Sequence, residues 1–269
     1  MSFHQPRPLT RFSGRFRVGL AAAAALACAV LGLTAMAGPA SATSNELAPG
    51  QELTGGQEIA AGPYILIMQT DGNLVEYDGS TVLFDTDTSG EPGNRLVMQT
   101  DGNLVMYGSA NQVRWTSDTY QYPGAYLAIQ TDSNVVVYDG STPLWAKSWM
   151  QTAAGAEAFA QVIFVHYGWS VSAQFPYLND LWTRESNWRW NVCNGGGTYP
   201  TCDYTGIAYG IPQSDPGSKM ASAGPDWTTD GLTQVIWGLN YIDSAYGTPQ
   251  AAWDHDVACG YCGYGPHHH

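Results

Sequence analysis

A nine-residue pattern, Q-x-D-x-N-x-V-x-Y, occurs three times in the first half of the chain and limits what that half can fold into. Its copies are Gln69, Asp71, Asn73, Val75 and Tyr77; Gln99, Asp101, Asn103, Val105 and Tyr107; and Gln130, Asp132, Asn134, Val136 and Tyr138. They start 30 and 31 residues apart, a period that signals stacked or symmetric β units. Within each copy the recurring residues fall at every second position, and alternate side chains of a strand share one face. Such a face sets amide, carboxylate and phenol groups side by side with a valine between them. It can exchange hydrogen bonds with adjacent sugar hydroxyls while the valine touches the apolar ring. A solvated strand face would explain the polarity and the Asp-Gly turns, but not the same five residues three times over. A further aromatic follows each copy: Phe84, Trp115 and Trp145.

Composition agrees with a sugar-like ligand. The 269 residues hold 10 Lys+Arg against 23 Asp+Glu, a formal net charge of −13, yet charged residues make up only 12% and aromatics another 12%. The aromatic content excludes low-complexity disorder. The acidic balance argues against nucleic acid as a partner, because neutralising phosphates needs clustered Lys and Arg.

The repeats resemble those of the bulb-type mannose-binding lectins over about residues 47–148. The resemblance implies an all-β domain at 43–148, a β-prism II of three four-stranded sheets about a pseudo-threefold axis, with one mannose site per sheet. The carbohydrate-binding residues it implies are the fifteen named above: Asp and Asn holding one hydroxyl, Gln a second and Tyr a third. Phe84, Trp115 and Trp145 would be core residues near the axis. Ser133 replaces the glycine of the first two copies, a change expected to tighten a turn without touching the ligand set.

Residues 1–42 read as an address. Arg7, Arg11, Arg15 and Arg17 precede an apolar run from Val18 to Ala37, and the triplet Ala40-Ser41-Ala42 follows. That order predicts a secretory signal peptide cut after Ala42, with Ala35-Met36-Ala37 as the competing site. An uncleaved anchor is the alternative, since about twenty apolar residues can span a bilayer; a lipid anchor on Cys28 fits less well. Cleavage would leave 6 basic against 23 acidic residues, or −17, in a secreted, extracellular or wall-associated protein with no membrane contact in its mature form. Cys193, Cys202, Cys259 and Cys262 then read as two disulfides. Of three pairings, Cys193–Cys202 with Cys259–Cys262 is favoured because each is local. No cofactor or metal is expected; the alternative is zinc held by these cysteines and His267–His269.

From Ala153 the texture becomes helical. A first helix is predicted from Ala153 to His166, and Leu178, Leu181, Trp182, Glu185 and Trp188 trace the apolar stripe of a second. Glu185 on that stripe should have a raised pKa, as a general acid requires. A structural Glu paired with Arg184 or Arg189 is the competing reading. Asp180, five residues earlier, points elsewhere on a helix, and no second carboxylate is placed by spacing; His255 and Asp256 lie too far from the motifs to be assigned.

The segments Arg184–Trp188, Gly206–Gln213, Trp237–Ile242 and Tyr246–Gly247 resemble the lysozyme-like lytic transglycosylase domains of secreted actinobacterial proteins. The resemblance covers about residues 155–255 and implies a mainly α (α+β) domain, bounded here as 153–262. It further implies that Glu185 is the catalytic acid cleaving the MurNAc-β-1,4-GlcNAc bond of peptidoglycan. Tyr209 and Gln213, with Trp253 more loosely, are the candidates for holding substrate, and a core role is the alternative for each. The stretch 191–205 is longer than the usual connection, and a Cys193–Cys202 bridge would staple it beside the cleft. Two functions stay open: a lectin that delivers a wall-cleaving domain, or a non-catalytic lectin whose helical domain is a scaffold or second sugar grip.

Overall fold

The computed structural model describes residues 44–260 and the backbone of a two-residue strand at residues 17–18. The expected cleavage sites, Cys28, Cys262 and His267–His269 lie outside these residues. The strands, in chain order, are β1 (Arg17–Val18), β2 (Glu46–Leu47), β3 (Glu52–Leu53), β4 (Glu58–Ala61), β5 (Tyr64–Met68), β6 (Leu74–Asp78) and β7 (Thr81–Asp85). They continue as β8 (Arg95–Met98), β9 (Leu104–Tyr107), β10 (Val113–Thr116), β11 (Tyr126–Ile129), β12 (Val135–Asp139) and β13 (Thr142–Ala146). Three antiparallel sheets result: β7-β6-β5-β4 with β1 along the edge of β7, then β10-β9-β8-β3, then β13-β12-β11-β2. Each repeat supplies three consecutive strands of one sheet, and β2 and β3 complete the third and second sheets.

The inward positions of the sheets are apolar and meet on a common axis. Leu66, Leu96, Leu127, Met98 and Met106 are buried there, and Trp115 packs edge-on against Trp145 with ring centroids 5.2 Å apart. Phe84 and Trp145 are buried, and Trp115 is partly so. One inward position breaks the pattern. Glu76, fully buried, occupies the place that Met106 and Val137 fill in the other sheets, and Lys147 ion-pairs with it from the start of the next segment. Lys147 also donates to Ser133 O at 2.6 Å. Burial raises the Glu76 carboxyl and the ammonium beside it opposes that rise.

The second half is helical: α1 (Ala153–Ile163), α2 (Val171–Ser186), α3 (Gly231–Tyr246) and α4 (Pro249–Ala258). Thr152 caps α1 by accepting from Gly155 N at 3.2 Å, and Asp230 caps α3 by accepting from Leu232 N at 2.7 Å. The first helix is shorter than its apolar pattern, because Phe164–Tyr167 tightens into a 3-10 turn closed by Gly168 at φ 69°. Trp188 lies beyond α2, which Asn187 ends at φ 54°. It is buried all the same, 4.9 Å from Trp182, and its indole N–H donates to Asn179 Oδ1. Among the described residues no helix is long and apolar enough to cross a membrane.

The halves share one apolar core. A single cluster of buried side chains runs from the prism axis through Leu144, Trp145 and Met150 to Phe159, Trp182 and Leu239. Tyr122 Oη donates to Val162 O at 2.7 Å, and Gly231 N donates to Met150 O at 2.7 Å. A smaller core packs Tyr209, Met220 and Trp227 against the Cys193–Cys202 disulfide of the 191–205 stretch. That bridge takes two of the four cysteines away from any thiolate metal site.

Candidate functional site

Each repeat is a hairpin turn followed by a strand rather than one continuous strand. Gln69 N donates to Asn73 O at 2.8 Å, and Gly72 N to Gln69 O at 3.0 Å. The Asp71 Oδ1 carboxylate oxygen accepts from Asn73 N at 3.0 Å. Only Val75 and Tyr77 lie within β6. The turn is what brings the ends of the pattern together: eight residues of extended chain would separate Gln69 from Tyr77 by ~26 Å, yet Gln69 Nε2 donates to Tyr77 Oη at 2.9 Å.

The other two copies reproduce this geometry. Gln99 and Tyr107 meet at 2.6 Å, and Gln130 and Tyr138 at 2.9 Å. Asp101 and Asp132 accept from Asn103 N and Asn134 N, both at 3.0 Å. The three Asp side chains are exposed, the Gln, Asn and Tyr half-exposed, and the Val buried beneath them. All fifteen residues thus fall into three sets of five.

The asparagines are held from behind. Asn73 Oδ1 accepts from Thr86 Oγ1 and Thr88 N, and Asn103 Oδ1 from Thr116 Oγ1, Ser117 Oγ and Thr119 N. Their amide N–H groups are thereby turned toward the face. These supporting hydroxyls escaped the sequence reading, although Thr86-x-Thr88 and Ser117-x-Thr119 follow the aromatics of the first two copies at the same offset.

No protein-family model matches the chain, and no curated protein does. Solved structures do. A monomeric monocot mannose-binding lectin from Gastrodia elata is 42% identical, covering 38% of this chain and 94% of its own, with a TM-score of 0.36. The mannose-specific agglutinin of snowdrop (Galanthus nivalis), complexed with methyl-α-D-mannoside, is 40% identical, covering 39% of this chain and 95% of its own, with a TM-score of 0.34. The Polygonatum cyrtonema lectin, complexed with monomannoside, is 37% identical over 37% of this chain and 98% of its own, with a TM-score of 0.33. Through its N-terminal region the chain belongs to the bulb-type mannose-binding lectins. Those identities, over nearly the whole length of each relative, carry the assignment.

The third lectin face differs from the others at its turn. Gly72 and Gly102 have φ of 94° and 95°, and a Cβ on either would lie 1.9 Å from Glu91 O or 2.2 Å from Tyr122 O. Both are roofed by the chain that returns from the aromatic. Ser133 has φ 68°. After Trp145 the chain leaves for the helical half, so a side chain is tolerated there. Asn134 Oδ1 accepts instead from Ser148 N at 3.1 Å.

In the helical region, Glu185 occupies the penultimate position of α2. Burial, then the nearby Asp256 carboxylate, push its pKa up to about 7, while Arg184 opposes them. The two arginines of the competing reading have partners of their own. Arg184 ion-pairs with Asp256 of α4, and Arg189 Nε donates to Ser186 O at 3.1 Å. Asp256, fully buried, is the residue the sequence left unassigned; α2 packing on α4 brings it beside Glu185 across 71 positions.

The substrate candidates are engaged within the fold. Tyr209 is fully buried in the smaller core and its hydroxyl donates to Thr228 O at 2.7 Å, so it supports the chain rather than facing a ligand. Gln213, at φ 47°, spends its amide on Gly210 O and Val192 O, fastening the loop. Trp253 packs from α4 against the main core. A groove of about 760 Å³ opens elsewhere, at the seam between the halves, and none of these four residues lines it.

Proposed function

We propose that the protein is secreted and binds mannose-type glycans through its three lectin faces, and that its helical region cleaves the MurNAc-β-1,4-GlcNAc bond of peptidoglycan with Glu185 as acid. The observation that carries the binding half is the threefold Gln–Tyr contact, repeated with the exposed Asp and the back-supported Asn. It leaves amide donors and carboxylate acceptors clustered over a buried valine, which is what adjacent hydroxyls on an apolar ring require. The ligands of the snowdrop and Polygonatum relatives support mannose in that role. The basic, apolar and small-residue segments of the leader, with the Cys193–Cys202 disulfide, support export.

For the catalytic half, the support is a half-buried Glu whose pKa lies near neutrality. It can be protonated at the glycosidic oxygen's approach and ionised afterwards. With Asp256 engaged by Arg184, one working carboxylate favours attack by the muramyl C6 hydroxyl over water. The test is mass analysis of fragments released from purified cell walls. Wild type should release 1,6-anhydro muropeptides and Glu185→Gln none, while mannan retention stays intact in both. Equal release, or none in either, defeats the enzymatic reading. A second reading, a non-catalytic helical region, is favoured by Tyr209 and Gln213 being committed to the fold instead of to a cleft.

A further inference from the structure

We infer that the seam between the lectin and helical regions is a further saccharide-binding groove, separate from the three lectin faces, which takes a neutral glycan chain. The groove is lined on one side by β10 and the segment after it, including Trp115, Thr116, Asp118 and Tyr120. The other side is built from the end of α1, the 222–226 segment and α3. Its volume of about 760 Å³ lies within the ~300–1,000 Å³ typical of small-molecule sites.

Three features point to the ligand's chemistry. First, the polar groups are acceptors in excess. Asp118, Asp226 and Asp243 all line the groove. Asp226 is only 1% exposed; its Oδ1 accepts from Thr233 Oγ1 at 2.8 Å, whereas Oδ2 is buried with no hydrogen-bond partner. A buried carboxylate oxygen left unpaired is costly, and a hydroxyl reaching the floor of the groove would satisfy it. Second, the cations are already engaged or neutral. Arg114 pairs with Glu91 at 2.6 Å, and burial lowers the pKa of His166. An anionic ligand would therefore meet carboxylates without a counter-charge. Third, aromatic surface stands beside the acceptors: Tyr120 stacks on His166 with centroids 3.8 Å apart, and Tyr167 Oη donates to Asn240 Oδ1 at 2.9 Å. Aromatic faces beside hydrogen-bond acceptors suit a sugar ring, apolar on its faces and hydroxylated at its rim.

The position of Asp118 strengthens the assignment. Its counterpart in the first sheet is Asp87, at the same left-handed turn (φ 53° against 55°), and Asp87 is exposed to solvent. The helical half converts an ordinary turn of the prism into one wall of the groove. Burial lifts the Asp118 carboxyl to about 6, which leaves it predominantly an acceptor at neutral pH, and burial raises Asp226 as well, beside the buried Asp230 carboxyl.

Calorimetric titration of the full chain with mannotetraose and with tetra-N-acetylchitotetraose tests the inference. Ala223→Trp fills the groove from the 222–226 segment, and Asp118→Asn removes an acceptor at a turn that asparagine tolerates. For at least one probe, Ala223→Trp should weaken binding by about tenfold or more and Asp118→Asn should weaken it too, with retention on immobilised mannan unchanged. If Ala223→Trp melts early, Asp118→Asn decides alone. Unaltered affinity for both probes overturns the inference. Failure of mannose binding would show in the mannan arm and leave the chitotetraose arm readable.

Discussion

The lectin region builds each face from one hairpin, whereas the helical region surrounds its candidate acid with residues from helices far apart in the chain. In the first, Gln69 and Tyr77 touch because a local turn folds nine residues back on themselves, and the design can be copied by copying the segment. In the second, the environment of Glu185 exists only when α2 and α4 pack, and it exists once. A repeated local site tolerates the loss of one copy. A single non-local site does not.

The largest effect that sharpens this contrast is the joint replacement of Asn73, Asn103 and Asn134 by alanine, which should abolish retention on immobilised mannan. Any one replacement alone should only weaken it, because the remaining faces still act together on a polyvalent surface. Full retention by the triple variant would mean that the faces are scaffolding.

Next in size is the buried pair inside the prism. Lys147→Met strands the Glu76 carboxylate in an apolar interior and should lower unfolding free energy by about 3–5 kcal/mol in denaturant titration. Adding Glu76→Met, which restores the side chain that Met106 supplies in the second sheet, should recover most of that loss. A double variant as unstable as the single would show that the pair holds the axis by more than its charges.

A smaller effect concerns pH. Glu185 ionises at about 7 in the folded protein against an ordinary 4.5. Between those values the unfolded chain releases a proton that the folded one keeps, so stability falls as pH rises through this window and levels off above it. Glu185→Gln should flatten that dependence in thermal melts across the range. Asp256→Asn removes the carboxylate that helps raise Glu185, so the alkaline limb of wall cleavage should move to lower pH. An unmoved limb would assign the raised pKa to burial alone.

The smallest effect is at the turns. Ser133→Gly should stabilise by no more than about 1 kcal/mol, while Gly72→Ser should destabilise by more, since its Cβ would meet the Glu91 carbonyl. Equal costs at the two turns would contradict the roofed and unroofed geometries.

These differences also explain what could be read in advance. The spacing of five residue types identified the lectin faces because a hairpin is a local object, and identical segments fold alike. Alternation misassigned Gln69, Asp71 and Asn73 to a strand, since a turn and a strand can carry the same period over so few residues. Glu76 went unnoticed because its partner, Lys147, lies in the irregular segment after the third repeat. Glu185 stood out by its apolar neighbours, but Asp256 carried no signal: helix packing, not spacing, joins them. Tyr209 took its candidate role from the company of its motif, and its ring lies in the small core around the disulfide.

The continuous core from the prism axis to α3 leaves no slack joint between the two regions. Seizing a glycan at any one face therefore sets the attitude of the helical half toward the surface, and each of the three faces sets a different one.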